Sequence, residues 1–253
     1  MTKMIMHGCN GKMGRVICEL VKNDPDIEMA AGIDITASNA PFPTYTNIND
    51  CDIQADVLVD FSTASAVPAV IEYAVGKKLP VVICTTGLSD ETLKMLDDAA
   101  KEIPVFKSAN MSVGINLIAS LLKKYSDVLY QEGFDIEIVE RHHNQKIDAP
   151  SGTALMLADA VNEGVSEDLE YVYDRSQVRE KRQHKQLGLS AVRGGTIVGD
   201  HEVIFAGKDE VIEFTHSAYS KEVFAVGAVK AAKFIAGKPA GRYDMQNVME
   251  EIG

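Results

Sequence analysis

The chain has 253 residues, 46% of them hydrophobic and 25% charged, enough to bury one large core or two modest ones and too apolar to stay disordered. Aspartate and glutamate outnumber lysine and arginine by 37 to 25, and the formal charge of -12 repels polyanions and argues against nucleic acid as a partner. The opening run MTKMIMHGCNGKMG breaks at Gly8, too soon for a signal peptide, and no segment approaches the roughly 18 apolar residues of a membrane helix. Cys9, Cys18, Cys51 and Cys84 form no C-x-x-C pair and have no histidine at zinc spacing, so free thiols in a cytoplasmic protein are expected.

Between residues 3 and 108 short apolar runs alternate with helix-length segments. KMIMH is followed by a helix over 14–22, then come MAAGID and ADVLVDF, a helix over 67–77, PVVICTT, a helix over 90–101, and PVFKSAN. This alternation predicts a Rossmann-like doubly wound parallel sheet of the α/β class. Ser89 before Asp90 and Glu91 reads as a helix cap with acidic first-turn residues, and Pro68 falls where a first-turn proline is tolerated. After Asn110 the rhythm changes to a helix over 112–127, the strand FDIEIVE, a polar loop, a helix over 153–162, and the strands HEVIFAG and EVIEFTHSA before the helix-like VFAVGAVKAAKFI. The expected organisation is a dinucleotide-binding domain over 1–110, rejoined by 222–253, and a smaller α+β substrate and oligomerisation domain with a mixed sheet over 111–221. The charge-dense run from Arg175 to Gln186 lacks aromatics and reads as a solvated, mobile loop.

The first strand-to-helix turn reads Gly8, Cys9, Asn10, Gly11, Lys12, Met13, Gly14, a G-x-x-G-x-x-G loop. Glycines there permit a tight turn and close approach of backbone to a diphosphate, whose charge meets the helix N-terminus. Asp34 ends the second predicted strand, 20 residues after Gly14, where an acid would bind adenosine ribose hydroxyls. A dinucleotide, NADH or NADPH, is the expected cofactor. Asp34 would repel a ribose 2′-phosphate and Lys12 would attract one, so the two oppose each other, with the balance toward NADH. Two further segments, Cys84-Thr85-Thr86 and Ser108-Ala109-Asn110-Met111, fall at the carboxyl ends of predicted strands, where open α/β sheets bind ligands.

After FDIEIVE, which ends at Glu140, comes Arg141-His142-His143-Asn144-Gln145-Lys146-Ile147-Asp148-Ala149-Pro150-Ser151-Gly152-Thr153. Two histidines and a lysine in one loop concentrate groups that donate protons or bind anions near neutral pH. Adjacent histidines on an extended segment point apart, no third ligand has suitable spacing and the lysine repels cations, so no metal is expected. Ser151, Gly152 and Thr153 stand at a helix start, whose unpaired N–H groups form an anion cradle. Ser151 or Thr153 considered singly reads equally well as the N-cap. Together with His143 and Lys146 they point to a substrate carboxylate.

EIVERHHNQKIDAPSGTA resembles the signature of the dihydrodipicolinate reductases, also called 4-hydroxy-tetrahydrodipicolinate reductases, of lysine and diaminopimelate biosynthesis. The resemblance continues in order through GCNGKMGR at 8–15, DFS at 60–62, CTTG, SANMSVGIN at 108–116, RGGTIVGDHEV at 193–203 and FAVGAVKAAKFI at 224–235, covering nearly the whole chain. It implies that His142 is the general acid, that Lys146 assists it, and that His143, Gly152 and Thr153 contact a cyclic dicarboxylate. It also implies cofactor contacts at Gly8 to Met13, Asp34, Cys84 to Thr86 and Ser108 to Met111, and a homotetramer; a two-domain cleft that closes would exclude water and bring the nicotinamide over the ring. Hydride would reach C4 of the ring and a proton C3, with loss of water. Cys84 stands where many relatives carry glycine, Lys221 where arginine is common and Met111 where phenylalanine is frequent. The alternatives are another two-domain NAD-dependent dehydrogenase of a small amino acid such as aspartate, which would not need the His-His-Lys run, and a non-catalytic dinucleotide sensor.

Overall fold

The computed structural model describes residues 1–36 and 39–252. The chain divides into two compact units, one of Met1–Ser112 with the segment from Glu222 onward, the other Val113–Lys221.

The first unit is built on a seven-stranded sheet. Its strands are β1 (Thr2–His7), β2 (Ile27–Ile33), β3 (Thr44–Tyr45), β4 (Val57–Asp60), β5 (Val81–Ile83), β6 (Pro104–Phe106) and β12 (Gly241–Tyr243), arranged β12-β6-β5-β4-β1-β2-β3 with every pair parallel. β4, β5 and β6 are buried at every position, as strands covered by helices on both faces must be. On one face Ile5, Leu58, Val81, Ile83 and Val105 pack with Val70, Ile71 and Leu96 of helices α2 (Val67–Lys77) and α3 (Asp90–Ala99). On the other lie α1 (Lys12–Lys22) and α6 (Glu222–Ile235), the latter against β4, β5 and β6. Lys233 of α6 ties it to Asp24, just beyond α1, at 2.8 Å. Pro68 occupies the first turn of α2, and the Ser89 hydroxyl caps α3 by accepting the Thr92 N–H at 3.2 Å. The chain beyond Lys221 thus supplies α6, the edge strand β12 and the terminal helix α7 (Met245–Ile252) to this unit. The order of strands changes direction between β1 and β4, the switch point at which open α/β sheets take ligands.

The second unit holds a mixed five-stranded sheet, β11-β10-β7-β9-β8, formed by β7 (Asp135–His142), β8 (Glu170–Tyr173), β9 (Gln186–Arg193), β10 (Asp200–Ala206) and β11 (Val211–Ser217). Helices α4 (Val113–Gln131) and α5 (Gly152–Gly164) cover one face, where Ile136, Ile138, Leu187, Leu189, Val203 and Phe205 meet Ile115, Leu122 and Leu157. β8 and β9 escape a reading by periodicity because QLGLSAVR follows a run dominated by charge. That run is largely solvent-exposed, as expected, and is fastened to the unit near its end. Arg182 binds the Glu137 carboxylate at 2.9 Å and Asp135 at 2.5 Å, and His184 stacks on Tyr130 with ring centroids 4.2 Å apart. Three carboxylate and carbonyl acceptors along β7 outweigh the solvation of a single guanidinium. Among the described residues no helix is long and apolar enough to cross a membrane.

Candidate active site

In the first unit the glycine loop follows β1 directly. Gly8 has φ +83°, and a Cβ there would lie 2.4 Å from the Phe61 carbonyl oxygen; one at Gly14 would lie 2.1 Å from the Gly8 carbonyl oxygen. Only glycine fits either place. No side chain caps Gly11, so the first N–H groups of α1 are left for an anion, which the helix dipole also favours. The loop is fixed from β2: Asn10 donates its N–H to Asp34 Oδ2 at 2.9 Å and its amide to the Thr36 carbonyl at 2.6 Å. Asp34 stands one residue past β2, half-buried, and Lys12 is exposed. These features suit the diphosphate and ribose of a dinucleotide.

The other two segments expected at the cofactor are less open. Cys84 and Thr85 are buried, and burial, with Asp60 adding to it, pushes the Cys84 thiol well above its ordinary range. The Thr85 hydroxyl donates to Asp60 Oδ2 at 2.6 Å and accepts the Ser62 N–H at 2.9 Å. Their side chains therefore face the protein interior, and of that segment only Thr86 is exposed. Ser108 and Ala109 reach the surface, whereas Asn110 and Met111 are buried, with Asn110 Oδ1 accepting the Ser112 N–H at 2.8 Å and α6 passing close over the Met111 carbonyl at Gly227.

In the second unit the strand expected to stop at Glu140 runs on through His142. The two extra residues matter, because side chains on a strand alternate and Glu140 and His142 now share the helix-covered face, at its polar end beyond Ile136 and Ile138. Glu140 is 1% exposed and gathers four donors: His142 Nδ1 at 2.6 Å, both terminal nitrogens of Arg193 at 2.7 Å, and the Ser151 N–H at 2.9 Å. Burial alone would raise its pKa; the bonds from Arg193, His142 and Ser151 outweigh that and hold the carboxyl below the usual range. With Nδ1 engaged, His142 has Nε2 for chemistry. A Cβ at Gly199 would lie 3.1 Å from that nitrogen, so glycine keeps it uncrowded.

His201, the register partner of Glu140 on β10, stands edge-on to His142 with ring centroids 5.1 Å apart. Burial, and then the neighbouring His142, push His201 down to about 4, so it is neutral at working pH and does not compete for charge. The Ser151 hydroxyl lies 3.0 Å from His201 Nε2 and accepts the Ala154 N–H at 3.1 Å, capping α5. The N–H of Ser151 donates to Glu140, and its hydroxyl lies between His201 and the first turn of α5.

Lys146 Nζ pairs with Asp148 Oδ1 at 2.9 Å. That ammonium first, with a smaller share from the Gly152 N–H, holds Asp148 below the ordinary carboxylate range. The start of α5 with Lys146 thus attracts carboxylates of the chain itself, Asp148 and, through Ser151, Glu140. The loop is pinned by Asn144 N–H to the Gly195 carbonyl at 3.2 Å and by Arg193 to the Asp148 carbonyl at 2.6 Å. His143 Nδ1 is buried with no hydrogen-bond partner among the described residues. Lys221 is exposed. Sequence reasoning missed Glu140, Arg193, Gly199 and His201; the i, i+2 spacing of Glu140 and His142 on a strand was the signal for the first of them.

The chain matches the family model for the dihydrodipicolinate reductase N-terminus over residues 2–111 and that for its C-terminus over residues 114–249. The chain belongs to the dihydrodipicolinate reductase family. A relative from Caldanaerobacter subterraneus subsp. tengcongensis, named 4-hydroxy-tetrahydrodipicolinate reductase, is 53% identical over 251 residues, 99% of both chains. A Clostridium tetani protein of the same name is 53% identical over 246 residues, covering 97% of this chain and 96% of its own. Among solved structures, the dipicolinate-bound dihydrodipicolinate reductase of Paenisporosarcina sp. TG-14 superposes with a TM-score of 0.79 at 22% identity, over 98% of this chain and 99% of that one, and shares the fold. Family membership makes the protein an oxidoreductase of lysine and diaminopimelate biosynthesis that works with NADH or NADPH.

Proposed function

We propose that this chain reduces 4-hydroxy-tetrahydrodipicolinate to tetrahydrodipicolinate with loss of water, in the diaminopimelate route to lysine. The observation that carries the mechanism is the buried Glu140–His142 pair beside the start of α5. Loss of the C4 hydroxyl as water leaves a carbon–carbon double bond conjugated to the ring imine. The dinucleotide, when bound, supplies a hydride, which goes to C4. Electron density displaced toward C3 and the ring nitrogen is quenched by a proton delivered to C3 from Nε2 of His142, while Glu140 holds the ring by Nδ1. Lys146 stabilises the charge that develops. His143, Gly152 and Thr153 hold a substrate carboxylate, the anion displacing Asp148 from Lys146.

Gly8 to Met13 and Asp34 hold the dinucleotide, with Thr86, Ser108 and Ala109 reaching it from neighbouring loops. Asp34 favours NADH. In Asp34→Ser the ratio of kcat/KM with NADH to that with NADPH is expected to fall about tenfold or more, since the carboxylate no longer opposes a 2′-phosphate. An unchanged ratio would remove Asp34 from cofactor choice.

The protein is a cytoplasmic homotetramer in this reading. Support comes from its free cysteines and from the uncovered sheet face of the second unit, where Val192 and Val211 are exposed beside Val139 and Ile204. The decisive assay adds freshly prepared 4-hydroxy-tetrahydrodipicolinate to the purified protein and follows loss of the reduced nicotinamide absorbance. Turnover with either dinucleotide is expected; none with both would reject the proposal.

A further inference from the structure

The carboxyl ends of β1 and β4 carry a polar cluster that the proposed chemistry does not use. His7 and Asp60 are the last residues of these strands and register partners across the switch point. Asp60 has no exposed surface, although Val57, Leu58 and Val59 before it are all apolar. A charge this deep requires compensation, and three side chains give it. His7 Nδ1 lies 2.7 Å from Oδ1, the Ser62 hydroxyl donates to Oδ1 at 2.6 Å, and the Thr85 hydroxyl donates to Oδ2 at 2.6 Å. The Asp60 carbonyl accepts the Cys84 N–H at 2.9 Å, and Lys107 donates to the Thr85 carbonyl at 3.3 Å.

An aliphatic residue would complete this strand end at lower cost, so the carboxylate has to do something that packing does not. What it does geometrically is join loops. Through Ser62 and Thr85 it closes the loop after β4 onto the loop after β5, and through His7 it fixes the last residue before the glycine loop. Phe61 donates its N–H to the His7 carbonyl at 3.1 Å, and its own carbonyl fills the space that a Cβ of residue 8 would need. The glycine loop therefore rests on backbone that Asp60 sets. We propose that Asp60 is a positioning residue of the dinucleotide site, holding His7, Ser62 and Thr85 so that the loops after β1, β4 and β5 present one preformed surface to the cofactor. The proposal rests on the reading that the dinucleotide binds at residues 8–13.

Asparagine at position 60 keeps the shape but turns one acceptor oxygen into a donor, which faces either His7 and Ser62 or Thr85, all of them donors to the carboxylate in the native site. Titration with NADH in the absence of substrate, followed by nicotinamide fluorescence, reads the effect directly. Asp60→Asn and Thr85→Val are each expected to raise the NADH Kd about tenfold, the loss of a hydrogen bond to a charged group, while the substrate KM at saturating NADH stays within about twofold of wild type. Thr85→Ser, which keeps the hydroxyl, is expected to restore the affinity. A Kd that stays at the wild-type value in folded Asp60→Asn and Thr85→Val, or a fall in melting temperature with no change in Kd, would overturn the proposal and leave Asp60 a structural residue. Should Asp60→Asn not fold, Thr85→Val and His7→Gln decide in the same titration, His7 standing nearer the surface. If the wild-type protein itself binds neither NADH nor NADPH, the dinucleotide reading fails and the inference with it, an outcome distinct from the others.

Discussion

Glutamine in place of His142 is expected to lower kcat by about two or more orders of magnitude, the usual cost of removing a general acid, with dinucleotide affinity close to wild type. The geometry sharpens the expectation, because Glu140 takes Nδ1 and leaves Nε2 beside Gly199 as the atom that delivers the proton. Glutamine reaches toward the same space and cannot protonate carbon. Lys146→Ala is expected to lower kcat similarly and to differ in KM. Removing the ammonium frees the Asp148 carboxylate beside the start of α5, where it repels an incoming anion, so KM for the dicarboxylate should rise as well. Steady-state kinetics with purified variants separates the two effects. Wild-type turnover in His142→Gln would dismiss the assigned acid, and an unchanged KM in Lys146→Ala would dismiss the exchange of Asp148 for substrate.

The α/β architecture was legible because the parallel strands are short, apolar and regularly spaced, and because Ser89 and Pro68 mark helix starts by local chemistry. What periodicity could not reach was the short edge strands β3 and β12, which pair through backbone and carry little pattern, and β9, whose apolar side shows in only a few residues after a charged run. At the site, the glycine spacing and the His-His-Lys run could be read directly, since each is local in sequence. Two members of the cluster around Glu140 and His142 are not local. Arg193 lies 51 positions away and His201 59, brought in by the pairing of β9 and β10 with β7. Glu140 was close by but hidden by ending the strand two residues early, which placed it and His142 in different elements. Ser151 and Thr85 show the reverse case: hydroxyls in promising sequence positions that folding commits to internal bonds.

Glu140→Ala should destabilise the second unit strongly, by about 3 kcal/mol or more, because it strands Arg193 against a site built for a carboxylate. It should also lower kcat by about tenfold or more, since the ring of His142 loses the partner that fixes its orientation. Pairing Glu140→Ala with Arg193→Leu tells these apart: urea midpoints should recover part of the loss once the unpaired guanidinium is gone, while kcat should not recover. The same cluster dictates how the fold responds to acid. Glu140 is held below its ordinary range in the folded chain, so its contribution is present above the unfolded carboxylate range and is lost as pH falls through the folded value. His201 acts in the same direction at higher pH. It is shifted from 6.5 to about 4, so the unfolded chain takes up a proton that the folded chain refuses, and stability declines as pH drops below 6.5 toward 4, by up to about 3 kcal/mol. Urea midpoints near neutrality and near about pH 5 should therefore differ in the wild type and differ less in His201→Gln, which carries no titrating ring. An equal pH dependence in both proteins would show that His201 is not the group responsible, and would leave the acid sensitivity to the carboxylates and to His216, which burial also pushes down.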